Sequence, residues 1–122
     1  MMKRNIVQLI KIILIFLAIP AFSLGNSSHV QIPIGDYAYV PEEISLERGT
    51  TVVWKNGGKI EHFVTSKMVT QGGFPLFASN SIKPTLSWDR QFNQAGIYEY
   101  YCPIHPQMTG RVVVYEGAEK QN

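Results

Sequence analysis

The segment Tyr101-Cys102-Pro103-Ile104-His105-Pro106-Gln107-Met108 sets a thiol, an imidazole and a thioether three residues apart. Loop curvature lets positions i, i+3 and i+6 converge on one centre, and two prolines limit the entropy lost in holding them there. Two sulfur ligands beside an imidazole ask for a soft or borderline metal. A fourth ligand must come from elsewhere in the chain. His62, just after the Gly57-Gly58 turn, is the histidine that a neighbouring loop can present. Two imidazoles and a thiolate in one plane, with a weak axial thioether, make up the ligand set of a type 1 copper centre. Such a geometry is a compromise between the preferences of Cu(I) and Cu(II), so it changes little between them, and its chemistry is one-electron transfer. Zinc prefers four strong nitrogen, sulfur or oxygen ligands, for which a thioether is a poor substitute.

Each residue also has a plainer reading. A lone cysteine in a β-protein is more often a small core residue than a ligand, and Met108 alone reads as packing. His62 alone reads as an ordinary polar residue. The shared spacing and strand context favour the metal. Cys102 is the single cysteine, so it closes no disulfide within the chain. His29 reads as an exposed residue near the start of the domain, and Met68 as a packing residue of a loop.

The elements that must position these groups are short strands. His29 to Ile34 is a first candidate, followed by a Gly35–Pro41 connection, an alternating stretch around Ile44 and Leu46, and a strand at Thr51 to Trp54 ended by Asn56-Gly57-Gly58. Further strands are expected at His62 to Ser66, Ile82 to Phe92, Ile97 to Cys102 and Arg111 to Tyr115. Lys67 to Ser81 is expected to be a loop packed on one end of the domain, with a short helical turn. The two-residue strand period puts Tyr98, Tyr100 and Cys102 on one face, taken as inward. The Trp54, Trp88, Tyr98 and Tyr100 set reads as core. Seven or eight short strands bounded by turn residues describe an all-β domain, an antiparallel β-sandwich or a Greek-key barrel.

The N-terminus is a separate matter. Lys3, Arg4 and Lys11 precede or interrupt the apolar run from Ile12 to Ile19, and small residues follow at Ala21, Ser23 and Gly25. This order is that of a secretory signal peptide, with cleavage expected after Gly25. The run falls short of the ~20 apolar residues of a spanning helix. The expected organisation is a signal at 1–25, one domain at 26–115 and a tail at 116–122. Removing 25 of the 122 residues leaves 97. Of the eleven basic residues, three go with the signal, so eight face nine acidic ones and the net charge becomes −1. A near-neutral domain argues against nucleic acid as a partner. Periplasmic or secreted location, monomeric state and no membrane attachment after cleavage are expected.

The stretches Val30 to Gly49, Thr50 to Asn56, His62 to Thr65 and Ala95 to Val114 resemble the cupredoxins, most closely the amicyanin, pseudoazurin and plastocyanin group. The Cys102-x-x-His105-x-x-Met108 spacing is that of the short amicyanin-type loop. The resemblance implies a Greek-key β-sandwich with one copper ion at one end, held by His62, Cys102, His105 and Met108. It also implies redox partners docking near His105, Ile104 and Pro106, with Ile34, Phe74 or Pro75 as neighbours. Many relatives carry an Asn after the first histidine and a Ser or Thr after the cysteine, which tie the two ligand segments together. Phe63 and Pro103 stand there instead. Backbone N–H groups of Phe63 and Ile104 are expected to donate to the Cys102 sulfur, and Glu61 to place a carboxylate at the rim. The expected function is a non-enzymatic one-electron carrier. A copper carrier for metal homeostasis is the alternative, and multi-copper enzymes are excluded because His29 is the single histidine left over.

Overall fold

The structure, a computed structural model, describes residues 27–118. The segment read as an export signal and the last four residues of the tail lie outside this range. The strands are β1 (His29–Ile34), β2 (Glu43–Glu47), β3 (Thr51–Asn56), β4 (Thr65–Ser66), β5 (Ser87–Gln91), β6 (Gly96–Cys102) and β7 (His105–Tyr115). They form two sheets, ordered β1-β3-β5 and β2-β7-β6-β4. The result is an all-β sandwich with the smaller of the two expected strand numbers.

Alternation builds the core. In β3 Val52 and Trp54 are buried while Lys55 faces solvent, and in β6 Tyr98, Tyr100 and Cys102 point inward as the strand period requires. β7 contributes Met108, Val112 and Val114 from the same sheet. Trp54 sits at the centre, with ring centroids 5.3 Å from Trp88, 5.4 Å from Tyr100 and 6.3 Å from Phe92. Trp88 is half-buried at the edge of this cluster. Each fully buried large apolar side chain contributes roughly 1.5–3 kcal/mol relative to exposure.

Four expectations change. The sandwich is not wholly antiparallel, because β1 pairs with β3 and β2 with β7 in parallel. The chain leaves β1 for the opposite sheet at β2 before returning as β3, and such a crossover permits parallel pairing where a hairpin does not. The expected strand at His62 to Ser66 contracts to β4, with His62 held in a single bridge to Ile82. The expected strand at Ile82 to Phe92 starts late because Lys83-Pro84-Thr85-Leu86 is a turn, closed by Leu86 N–H on the Lys83 carbonyl at 3.0 Å. Lys67 to Ser81 has no helical turn. Its tip is a hairpin in which Val69 bridges Pro75 and Thr70 N–H donates to the Phe74 carbonyl at 2.8 Å, with Gly73 at φ +80°. Phe77 from this segment enters the core, whereas Phe74 is 71% exposed.

The cysteine-histidine-methionine segment is more ordered than a bare loop. β6 and β7 form a hairpin in which Cys102 faces His105, with Pro103 and Ile104 as its tip. Register then shifts. Tyr101 pairs with Thr109, so Pro106, Gln107 and Met108 are extra residues on one strand. An excess of this kind bends a strand and re-aims its side chains, and here Met108 turns inward.

Candidate metal centre

The sandwich brings its two histidine-bearing segments to one end. One nitrogen each of His62 and His105 and the sulfur of Cys102 all lie within 4.8 Å of one another. The Cys102 sulfur is 3.8 Å from His105 Nδ1. A first-row ion with bonds of ~2.3 Å to sulfur and ~2.0 Å to nitrogen, set 120° apart, requires these atoms ~3.7 Å apart. The spacing therefore fits two ligands of one ion, and it is long for a strong hydrogen bond. The imidazole rings of His62 and His105 are 5.4 Å apart by centroid.

His62 is fully buried, and neither ring nitrogen has a hydrogen-bond partner among the described residues. Buried polar atoms are rarely left unpaired without a reason, and a bound metal is one. Burial, with the neighbouring His105, lowers the His62 pKa below its ordinary value of 6.5, against an opposing influence from Asp36. The ring is thus held neutral, as a metal ligand must be. Cys102 and Met108 are buried, while His105 is half-exposed.

Hydrogen bonds place His62. Its N–H donates to the Ile82 carbonyl at 3.1 Å and the Ile82 N–H returns the bond at 2.8 Å. Fully buried Asn56 secures both sides of this bridge. Its Nδ2 donates to the carbonyls of Ile60 and Ile82, each at 2.8 Å, and its Oδ1 accepts from Gly58 N–H at 2.9 Å. Its backbone accepts from Thr85 and donates to Leu86, each at 2.9 Å. Gly58 is required by close approach, because a Cβ there would lie 2.2 Å from Asp36 Oδ1. That carboxylate accepts from Lys59 N–H at 2.6 Å, docking the Gly35–Pro41 connection on the His62 loop.

The surroundings of His105 differ from expectation. Ile34 is buried in the core, Phe74 and Pro75 belong to the hairpin tip at which Val69 bridges Pro75, and none of the three lines the cleft at His105. The aromatic neighbour is Tyr37, 75% exposed, standing edge-on to His105 with centroids 5.6 Å apart at 78°. Tyr37, Ile104, Pro106, Gln107 and Met108 line with His105 an open cleft of about 600 Å³. An aromatic residue stranded between Gly35 and Pro41 was the available signal. Among the described residues, His105 Nδ1 is the polar group resolved at the Cys102 sulfur, and neither Phe63 nor Ile104 N–H donates to it. Glu61 is engaged by the Ser81 hydroxyl at 2.5 Å. His29 is exposed, with Nδ1 3.0 Å from the Ser27 carbonyl oxygen.

Comparison with known proteins agrees with this geometry. Amicyanin of Paracoccus versutus is 33% identical over 85 residues, which are 70% of this chain and 64% of that protein. Amicyanin-alpha of Methylorubrum extorquens is 27% identical over 101 residues, covering 80% of this chain and 81% of its own length. The crystal structure of the Paracoccus versutus protein superimposes with a TM-score of 0.65 at 32% identity, over 71% of this chain and 81% of that one. A purple cupredoxin from Nitrosopumilus maritimus gives 0.60 at 30% identity, over 72% of this chain and 99% of that one. Residues 26–115 match the family of copper-binding proteins that includes plastocyanin and azurin, and the chain belongs to that family.

Proposed function

We propose that this protein is an exported one-electron carrier whose single type 1 copper is held by His62, Cys102, His105 and Met108. The observation that carries the reading is the convergence of His62, Cys102 and His105 at a point where, among the described residues, neither His62 nitrogen has a hydrogen-bond partner. Copper supplies the electron chemistry when bound. The chain supplies a dry cradle, a neutral imidazole at His62, and a half-exposed imidazole at His105 for contact with partners.

The cleft beside His105 is the docking face of this reading. Ile104, Pro106 and Tyr37 line it with the histidine, and Tyr37 stands edge-on to the imidazole. A small apolar face suits brief encounters with redox partners, as a carrier needs. The family match begins at residue 26 and the last strand ends at Tyr115, which supports removal of the preceding 25 residues and a working domain at 26–115. The order of basic, apolar and small residues at the N-terminus supports a periplasmic or secreted location.

The test is the visible spectrum of the copper-loaded protein before and after ascorbate. The carrier reading predicts an intense thiolate-to-copper band that bleaches on reduction and returns on reoxidation. Copper bound without that band, and exchanging readily with a chelator, contradicts it in favour of copper carriage for homeostasis.

A further inference from the structure

Phe63 and Pro103, which follow His62 and Cys102, carry no polar side-chain group that could tie the two ligand segments together, yet the segments are held together. One side chain touches both halves. Tyr39 is buried, and its hydroxyl donates to the carbonyl of Phe63, the residue after His62, at 2.5 Å. Its ring packs edge-on against Tyr100, with centroids 4.8 Å apart at 69°. Tyr100 lies two residues before Cys102 on the same inward face of β6. The Tyr100 ring in turn lies across β7 at Gly110, where a Cβ would come within 2.2 Å of its Cζ. Tyr39 itself is fixed by a bridge to Ile34 and by Val40 N–H on the Pro33 carbonyl at 3.0 Å, so it presents its hydroxyl from an anchored backbone.

We infer that Tyr39 is a positioning residue for the copper site, holding the His62 segment against the Cys102 strand where the side chains that follow the two ligands cannot. The inference rests on the copper reading above. The chain after His62 is restrained at Phe63 by Tyr39 and at Val64 by the Ser79 hydroxyl, which accepts the Val64 N–H at 2.9 Å. Removing the Tyr39 hydroxyl leaves the Phe63 carbonyl without that partner and frees His62 to shift relative to the sulfur. The cost of one lost buried hydrogen bond falls on the geometry of the metal as well as on stability.

Tyr39→Phe is the test, with Tyr98→Phe as its control. Tyr98 also spends its hydroxyl on a backbone carbonyl, that of Gln94 at 2.7 Å, and also packs on an aromatic ring, but four residues before Cys102 and away from the ligands. Both deletions should lower the melting temperature. Tyr39→Phe alone should shift the thiolate-to-copper band, move the reduction potential and speed copper transfer to a chelator by about fivefold. Equal spectra, potentials and transfer rates in the two variants would overturn the inference while leaving the copper reading intact. Absence of the band in the unaltered protein would overturn both.

Discussion

The two halves of the metal centre are built by different means. The Cys102–Met108 half carries three of the proposed ligands within one hairpin, and local chain geometry sets their separation. The His62 half carries a single ligand on a nearly irregular segment, and five hydrogen bonds of Asn56 and the bridge to Ile82 hold it. A local motif tolerates change around it, because its spacing travels with it. A ligand delivered by tertiary hydrogen bonds depends on residues that never approach the metal.

The largest effect is expected at the Cys102 sulfur. Cys102→Ser should abolish the thiolate-to-copper band completely, and the rise in melting temperature expected of the native protein with saturating copper should shrink. Absorption and thermal melts with and without copper check both halves of that outcome. Asn56→Ala comes next. It strands the Ile60 and Ile82 carbonyls and the Gly58 N–H in the interior, and should cost about 2–4 kcal/mol in denaturant unfolding while loosening His62. Pro106→Ala, on the other half, should cost well under half as much, since it removes no hydrogen bond; equal losses would erase the contrast between the halves.

A third expectation concerns the metal-free protein. The His62 pKa is lowered in the folded state, so the unfolded chain binds the extra proton first as pH falls. Stability contributed by neutral His62 is complete above its ordinary value of 6.5 and declines as pH drops below it. Denaturant midpoints of the metal-free protein between pH 8 and pH 5 (roughly the span over which histidine changes charge) should fall, and His62→Gln should flatten the decline. The smallest effect on stability is expected of Tyr37→Ala, because that ring is exposed. It should leave unfolding within about 0.5 kcal/mol of the native protein. Electron self-exchange, measured by line broadening, should slow through loss of the contact beside His105.

The legibility of the two halves in the sequence follows the same division. Cys102, His105 and Met108 were readable because strand period and ligand spacing act over a few residues. The inward face of Tyr98, Tyr100 and Cys102 followed from the same period. His62 was nameable as a ligand, but its support was not. Asn56 reads as a turn former before two glycines, and its burial as a hub of two loops depends on Ile82 and Leu86, more than twenty residues on. Tyr37 and Tyr39 lie in a connection that the Lys59 N–H docks on the His62 loop through the Asp36 carboxylate, and Tyr39 meets its own partner at Phe63; both are contacts across the fold. The parallel pairings of β1 with β3 and β2 with β7 likewise belong to the crossover between sheets and to no local signal.

A site whose ligand geometry is dictated by the protein and not by the metal changes little when the metal is reduced. X-ray absorption at the copper edge, on the oxidised and reduced protein, measures this. One short copper–sulfur and two copper–nitrogen distances are expected in both states, with small changes between them. A shell of nitrogen and oxygen ligands without sulfur, or a change of coordination number on reduction, would contradict this.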